Sequence, residues 1–383
     1  MSLLIDAHRQ FLEDAARLDA FSRAIAEAVR PGDVVVDLGS GTGVLGLLAC
    51  RAGAARVYSV DQTGMAAFAR RIAADNGFAD RVIALRGHSS RVDLPERVDV
   101  VVSDMIGRIG FHSGSAEALT DVRERWLRPG GWLMPAAVET WIAPVEQSSL
   151  YADVEFWSAP VAGFDMRAVR QSAANTGYPH AFATTDLLAP GAVGARCDYR
   201  EGDTSLARGA AAFVVTRPGV LHGLAAWFVA QLSSSVTLTN APGAADRIKR
   251  RNAFLPLETP VTVEAGDVIA VDLALRPVDF VVSWSVRCRR GGDEFASTRQ
   301  STLRGMLLER EDLISASEGS RPTLNRWAAA RASIIELCDG HRELGEIERL
   351  VFERHGALFA NAMQAKVFVA EVVGRYAETA PRA

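Results

Sequence analysis

Lysine is nearly absent from this sequence: only Lys249 and Lys366 occur among the 42 basic residues of a 383-residue chain. The other cations are arginines. Together with the abundance of alanine they read as a coding bias, not as an arginine-built binding surface. Cysteine is scarce as well. Cys50, Cys197, Cys288 and Cys338 lie far apart and form no Cys-x-x-Cys pair, so neither a metal site nor a disulfide framework is expected. Charge of one sign is also lacking, since 42 basic residues face 46 acidic ones for a net charge of −4. That balance excludes a protein whose affinity comes mainly from neutralising nucleic-acid phosphates. No apolar run approaches the roughly 18–20 residues of a membrane span. Asp6, Glu13 and Asp14 stand where a secretory signal would carry a basic start and an apolar core. The expectation is a soluble, cytoplasmic protein with no membrane and no nucleic-acid partner.

Hydrophobic residues supply 49% of the chain, enough to bury a core. At about 100–200 residues per domain the length predicts two or three domains. Apolar residues from Phe11 to Val29 recur at helical spacing, predicting one helix over residues 8–29 that Pro31-Gly32 stops. Val34-Val35-Val36-Asp37-Leu38 reads as a buried parallel strand. It runs straight into Gly39-Ser40-Gly41-Thr42-Gly43 and a helix from Val44. A second strand, from Arg56 to Val60, ends in Asp61.

Strand, glycine turn, helix, strand and terminal acid form a βαβ nucleotide-binding unit. Glycines let the backbone approach a ligand at φ values that a Cβ forbids. An acid closing the second strand can accept from both hydroxyls of a ribose. The spacing here is Asp-x-Gly-x-Gly-x-Gly, which resembles the first motif of class I S-adenosylmethionine (SAM) methyltransferases, with Asp61 as their ribose acid. Three later stretches extend the resemblance: Arg81 to Gly87 as third strand and adenine-side turn, Val98 to Asp104 as fourth strand, and Leu127-Arg128-Pro129-Gly130-Gly131 as the turn before strand five. It implies SAM as cofactor, held by Asp37, Gly39, Gly41, Gly43, Asp61, the neighbouring Gln62, Gly87 and His88.

The flanks are similar to one branch, the protein arginine methyltransferases. That family's His-x-x-Met-Leu-x-Asp-x-x-Arg pattern recurs from His8 to Arg17. By this match Arg17 grips the methionine carboxylate of SAM, a pairing that suits a guanidinium fork. Phe156-Trp157 and Gly163-Phe164-Asp165-Met166 resemble the family's dimerisation arm, which implies a homodimer. The stretches around His222 to Phe228, Val236 to Thr239 and Glu264 to Ile269 resemble its β-barrel.

Two departures stand out. The family holds guanidinium with two glutamates on the loop after strand four, where this chain has Asp104 and Ser113. Its Thr-His-Trp substrate loop falls near Asp246-Arg247-Ile248, and none of the three residues is kept. A planar cation would lose half its counter-charge, while Arg108 and His112 add positive character. An amine acceptor fits better, with Asp104 and His112 as candidate catalytic proton acceptors.

After a Ser/Gly/Pro linker that ends at Pro322, the chain reads as helix, Asp339-Gly340 turn, a helix over 344–355 and a third over about 360–376. Val367, Phe368, Val372 and Val373 are expected to face inward on the third. Leu337-Cys338-Asp339-Gly340-His341-Arg342 resembles a PqqD-like domain, the precursor-peptide recognition element of ribosomal peptide pathways. Such domains take a leader peptide as an added edge strand. The expected organisation is thus a Rossmann-like α/β SAM domain (1–143), a β-barrel domain with a helical dimerisation arm (144–300), and a linker with a winged-helix-like domain (301–383).

The function expected from the residues is SAM-dependent N-methylation of a precursor peptide at an amine, such as dimethylation of a daptide C-terminal amine. Protein arginine methylation, small-molecule methylation and a non-catalytic SAM-binding scaffold stand as alternatives.

Overall fold

The computed structural model describes residues 4–112, 114–201, 204–307, 309–315 and 317–377. The chain divides into two compact units, Met1–Met306 and Leu307–Ala383.

The first unit opens with α1 (Leu4–Leu12) and α2 (Ala15–Ala28), two helices where the apolar spacing predicts one. The break lies at Asp14. One carboxylate oxygen caps α2 by accepting from the Arg17 N–H at 3.4 Å, and the other accepts from the distant Lys249 N–H at 2.7 Å. An aspartate satisfies open helix-start donors better than it serves a helix interior, so the tertiary contact reinforces a local preference.

β1 (Val34–Leu38), α3 (Val44–Ala52), β2 (Arg56–Asp61), α4 (Met65–Asp75), β3 (Val82–Arg86), β4 (Val98–Ser103), α5 (Ser115–Arg125) and β5 (Leu127–Met134) follow. The five strands form one parallel sheet in the order β3-β2-β1-β4-β5. The chain direction across the sheet reverses between β1 and β4, which opens a crevice beyond their carboxyl ends. β1 is buried along its whole length, in keeping with its unbroken apolar character. The Pro129-Gly130 turn interrupts β5 from within: Val98 pairs with Leu127, but Val100 already pairs with Trp132.

The remainder of this unit is antiparallel. It comprises β6 (Ala137–Val145), α6 (Ser148–Glu155), α7 (Arg170–Ala174), β7 (Tyr178–His180), β8 (Ala192–Asp198), β9 (Ala207–Val214), β10 (Gly219–Gln231), β11 (Thr237–Thr239), β12 (Asn252–Val263), β13 (Val268–Arg276), β14 (Val281–Arg290) and β15 (Asp293–Ser301). In place of one closed barrel the described strands form two sheets. One runs β7-β12-β10-β6-β8 with β11 beside β10, and the other β15-β14-β13-β9. β13 alternates buried and outward residues, as a strand with one covered face must. The sheets meet where the buried Trp284 donates its indole N–H to the Pro256 carbonyl at 3.2 Å. A single apolar core joins them to the parallel sheet, so the change from parallel to antiparallel between Met134 and Ala137 is not a break in packing. His222, within β10, is buried and accepts the Gln147 N–H on Nδ1 at 3.1 Å. Desolvation lowers its pKa, which marks a neutral structural histidine.

The second unit contains α8 (Arg310–Ser315), α9 (Arg326–Leu337), α10 (Leu344–His355) and α11 (Ala362–Tyr376). Its described residues include no strand, so the winged-helix expectation reduces to a small helical unit. Ala330, Ile334, Leu337, Ile347, Val351, Phe368, Val369 and Val372 form its core. Val367, expected to face inward, is 64% exposed, and Val369 is buried in its place. No single helix among the described residues is long and apolar enough to cross a membrane.

Candidate active site

The turn between β1 and α3 carries three glycines with left-handed φ, of which Gly41 is the most constrained. Its φ is +53°, and a Cβ there would stand 2.4 Å from the His8 ring of α1. Both the backbone conformation and the space therefore demand glycine. The Gly41 N–H donates to Asp61 Oδ2 at 2.9 Å. Asp61 Oδ1 accepts from the Thr63 N–H at 2.8 Å and the Thr63 hydroxyl at 2.6 Å. A carboxylate offers about four acceptor positions, so this buried side chain, already taking three hydrogen bonds, keeps capacity for a ligand hydroxyl.

Asp37 lies beneath the turn. Its Oδ2 accepts the Gly46 N–H at 2.9 Å, while Oδ1 is buried without a partner. Desolvation pushes its pKa up to about 7, against the opposing pull of the Gly46 N–H and the Arg17 charge. The hydroxyls of Ser40 and Ser59 are likewise buried and unpartnered. Orphaned polar atoms around a glycine turn mark a place that takes a polar ligand or water.

The raised pKa carries a stability prediction. Asp37 is protonated in the fold at pH values where the unfolded chain, near the ordinary 3.8, has released the proton. Stability of the ligand-free protein therefore falls as pH rises from about 4 to about 7 and levels off above that. Asp37→Asn should abolish this fall, so that the variant gains on the wild type by a few kcal/mol between about pH 5 and pH 8. Thermal melts across that range measure it, and a gap independent of pH would contradict the assignment.

Opposite the turn, Arg17 of α2 is buried and donates from Nε to Asp104 Oδ2 at 2.5 Å. Its Nη1 donates to the Phe11 carbonyl at 3.3 Å, and its guanidinium lies 5.6 Å and 5.3 Å from the Phe11 and Phe21 ring centres. Asp104 does not stand free at the end of β4. Arg250 reaches it as well, with Nη2 3.2 Å from each carboxylate oxygen, and donates from Nη1 to the Ile106 carbonyl at 2.6 Å. Asp104 is thus the shared counter-ion of two guanidiniums, a different environment from that of an unengaged catalytic base.

The structure brings Arg17, Asp104, Gly39 and Gly41 onto one cavity of about 70 Å³, lined also by His8 and Phe11. Ligand pockets usually measure about 300–1,000 Å³. The shortfall arises because α1 lies across the opening, with His8 against Gly41. On the far side of Asp61, Gly87 donates its N–H to the Asp61 carbonyl at 3.0 Å. Its neighbour His88 is exposed and pairs through Nδ1 with the Ser90 hydroxyl at 2.8 Å. Gln62 is exposed beside this turn, and Gly43 is the residue from which α3 starts.

His112 is not in the lining of this cavity. The chain reverses so tightly after β4 that a Cβ on Gly107 would sit 1.5 Å from the Phe111 carbonyl oxygen. That reversal buries Ile109 and Phe111 and leaves His112 exposed before α5, its backbone bonded to the Ser115 side chain. Ser113 lies outside the described residues. His8, Phe11 and Arg250 enter the site without having been singled out as site residues in the sequence. The basic run from Arg247 to Arg251, next to the altered substrate loop, was the available signal for Arg250.

A glycine cradle that a Cβ would fill, an acid at the end of β2 with acceptor capacity and a buried arginine opposite fit SAM. Asp61 suits its ribose, the glycine turn its close backbone approach and Arg17 its carboxylate. The fold and this site define a class I SAM-dependent methyltransferase.

Residues 20–134 match the family model for ribosomal protein L11 methyltransferase (PrmA). The chain is 35% identical over 172 residues to a probable protein arginine N-methyltransferase 6 of Arabidopsis thaliana, covering 44% of this chain and 39% of that one. It is 26% identical over 298 residues to protein arginine N-methyltransferase 6 of Xenopus laevis, covering 72% of this chain and 85% of that one. Among solved structures, the Trypanosoma brucei PRMT1 enzyme–prozyme heterotetrameric complex with AdoHcy superposes with a TM-score of 0.69 at 20% identity, over 77% of this chain and 98% of that one. Within the class, then, this is a SAM-dependent methyltransferase with the architecture of the protein arginine methyltransferases, a parallel cofactor sheet followed by an antiparallel domain.

Proposed function

We propose that the protein transfers the methyl group of SAM to a nitrogen of a polypeptide, with an arginine side chain as acceptor. Similarity to a protein arginine N-methyltransferase over 298 residues, reaching through both the parallel and antiparallel parts, carries this reading. It has more support than the precursor-peptide amine expected from the residues alone. The amine is retained as a second reading on one observation. Asp104 already balances Arg17 and Arg250, which leaves it little capacity to hold a third guanidinium, whereas an amine that arrives neutral needs no counter-ion.

Two further parts of the proposal concern assembly and capture. Phe156 and Phe164, 54% and 68% exposed around α6 and the turn after it, support pairing with a second copy through this arm. The helical second unit, with Trp327 and Ile335 partly exposed on α9, supports a role in holding the substrate peptide.

Incubating the full chain with methyl-labelled SAM and two peptide sets, one with arginine and no free amine, the other with free amines and no arginine, tests the acceptor. Fragment-ion mass spectrometry is expected to place the label on arginine. Label confined to amines would replace the first reading with the second, and no label on either set would remove both.

A further inference from the structure

α2, the loop after β4 and the segment entering β12 bring four arginines together, two of them on one carboxylate. Arg17 and Arg250 both pair with Asp104, and Arg250 is anchored on the Ile106 carbonyl. The Asn240 side-chain N–H₂ donates to the Arg108 carbonyl at 2.9 Å and to the Arg251 carbonyl at 3.3 Å, pinning these two arginines side by side. Both are exposed, and neither has a carboxylate within ion-pair distance among the described residues. The pKa of Arg108 is lowered, first by desolvation and then by the charges of Arg251 and Arg250. Asp104 is engaged by the other pair, so Arg108, on the loop that carries Asp104, and Arg251, at the entry of β12, make an uncompensated cationic edge among the described residues.

Two guanidiniums held together by backbone anchoring repel each other, and an anion between them turns repulsion into attraction. Guanidinium forks match carboxylate geometry in particular. We propose that Arg108 and Arg251 form an anion subsite at the acceptor mouth, which takes a substrate carboxylate lying close to the methylated nitrogen. The inference rests on the substrate being a polypeptide and holds for either acceptor nitrogen. A carboxylate can come from an Asp or Glu side chain or from a chain terminus, and the subsite selects acidic segments over basic ones in both cases.

The test uses the full chain with SAM and matched fluorescent peptides. These share one acceptor and carry Asp, Asn or Lys two residues away, each with a free or an amidated C-terminus. Binding by fluorescence anisotropy is expected to favour Asp over Asn by about tenfold, with Lys weakest. The preference should shrink with added salt. An advantage that follows the free terminus and not the side chain would identify the terminal carboxylate as the ligand. Arg108→Glu/Arg251→Glu should reverse the order, with SAM affinity as the control for folding. Equal binding of Asp, Asn and Lys peptides of both end types, or an order unchanged in a variant that still binds SAM, would overturn the subsite. Methyl transfer is read separately in the same samples. Its absence despite acid-selective binding would count against the polypeptide methyltransferase reading and not against the subsite.

Discussion

Asp61→Ala is expected to lower SAM affinity by roughly two to four orders of magnitude, measured by titration calorimetry. A hydrogen bond to a charged group contributes about 1.5–3 kcal/mol, and Asp61 has one acceptor position left for a ribose hydroxyl, so the rest of the loss comes through the turn. The substitution acts twice, because Asp61 also holds the turn by accepting the Gly41 N–H and both donors of Thr63. Without the carboxylate the Gly41 N–H loses its acceptor, and the turn loses the contact that ties it to β2. Asp61→Asn keeps one acceptor oxygen and should fall between the wild type and the alanine variant. An alanine variant that melts like the wild type and binds SAM equally well would sink the assignment of Asp61 to the cofactor.

Asp104→Ala should cost about 3–5 kcal/mol of stability, the usual penalty for stripping a buried charge of its counter-ion. The side chains of Arg17 and Arg250 are only 7% and 13% exposed, so two guanidiniums would be left facing each other with little water. A melting temperature lower by several degrees or more is the expected readout, accompanied by loss of methyl transfer. Arg250→Met in the same background removes one of the stranded charges and should recover part of the lost stability, although the same change alone destabilises. That sign reversal separates an electrostatic clamp from a simple cavity, since two independent cavities would add. Unchanged melting of Asp104→Ala would show that solvent compensates the arginines and that the clamp contributes nothing.

The two predictions differ in how far sequence alone could have led to them. Asp61 is legible because everything that defines it is close in sequence: a strand, a turn rich in glycine, a helix and a second strand ending in an acid. Backbone φ values and side-chain alternation are local constraints, so their residue signature is local too. The same holds for β1, for the Asp339-Gly340 turn with Gly340 at φ +80°, and for α10, whose bounds match the apolar spacing.

Asp104 is legible only as an acid at a strand end. Its partner Arg250 lies 146 positions away, and no periodicity connects them. The break at Asp14 is a mixed case. An aspartate followed by a helical pattern is a recognisable cap, but Lys249, which takes the second carboxylate oxygen, comes from the far side of the chain. His112 shows the opposite failure. Its residue type and loop suggested proton chemistry, but the reversal at Gly107 decides which side chains of that loop turn inward, and Phe111 wins the buried place. The second unit departs at Val367 and Val369, which flank Phe368 about 200° apart around α11 and are both apolar. Only packing against α9 and α10 chooses between them.

The sequence by itself determined the α/β cofactor fold, the glycine turn with its two acids and the likeness to arginine methyltransferases, because each is written in residues near one another along the chain. Tertiary structure alone decided that Asp104 is shared by Arg17 and Arg250, and that, among the described residues, the antiparallel strands form two sheets and Arg108 and Arg251 stand together without an acid. Ion pairing and sheet closure depend on distances between segments far apart in sequence. Folding sets those distances by burying apolar faces, and a charged residue then meets whichever partner the packing brings to it.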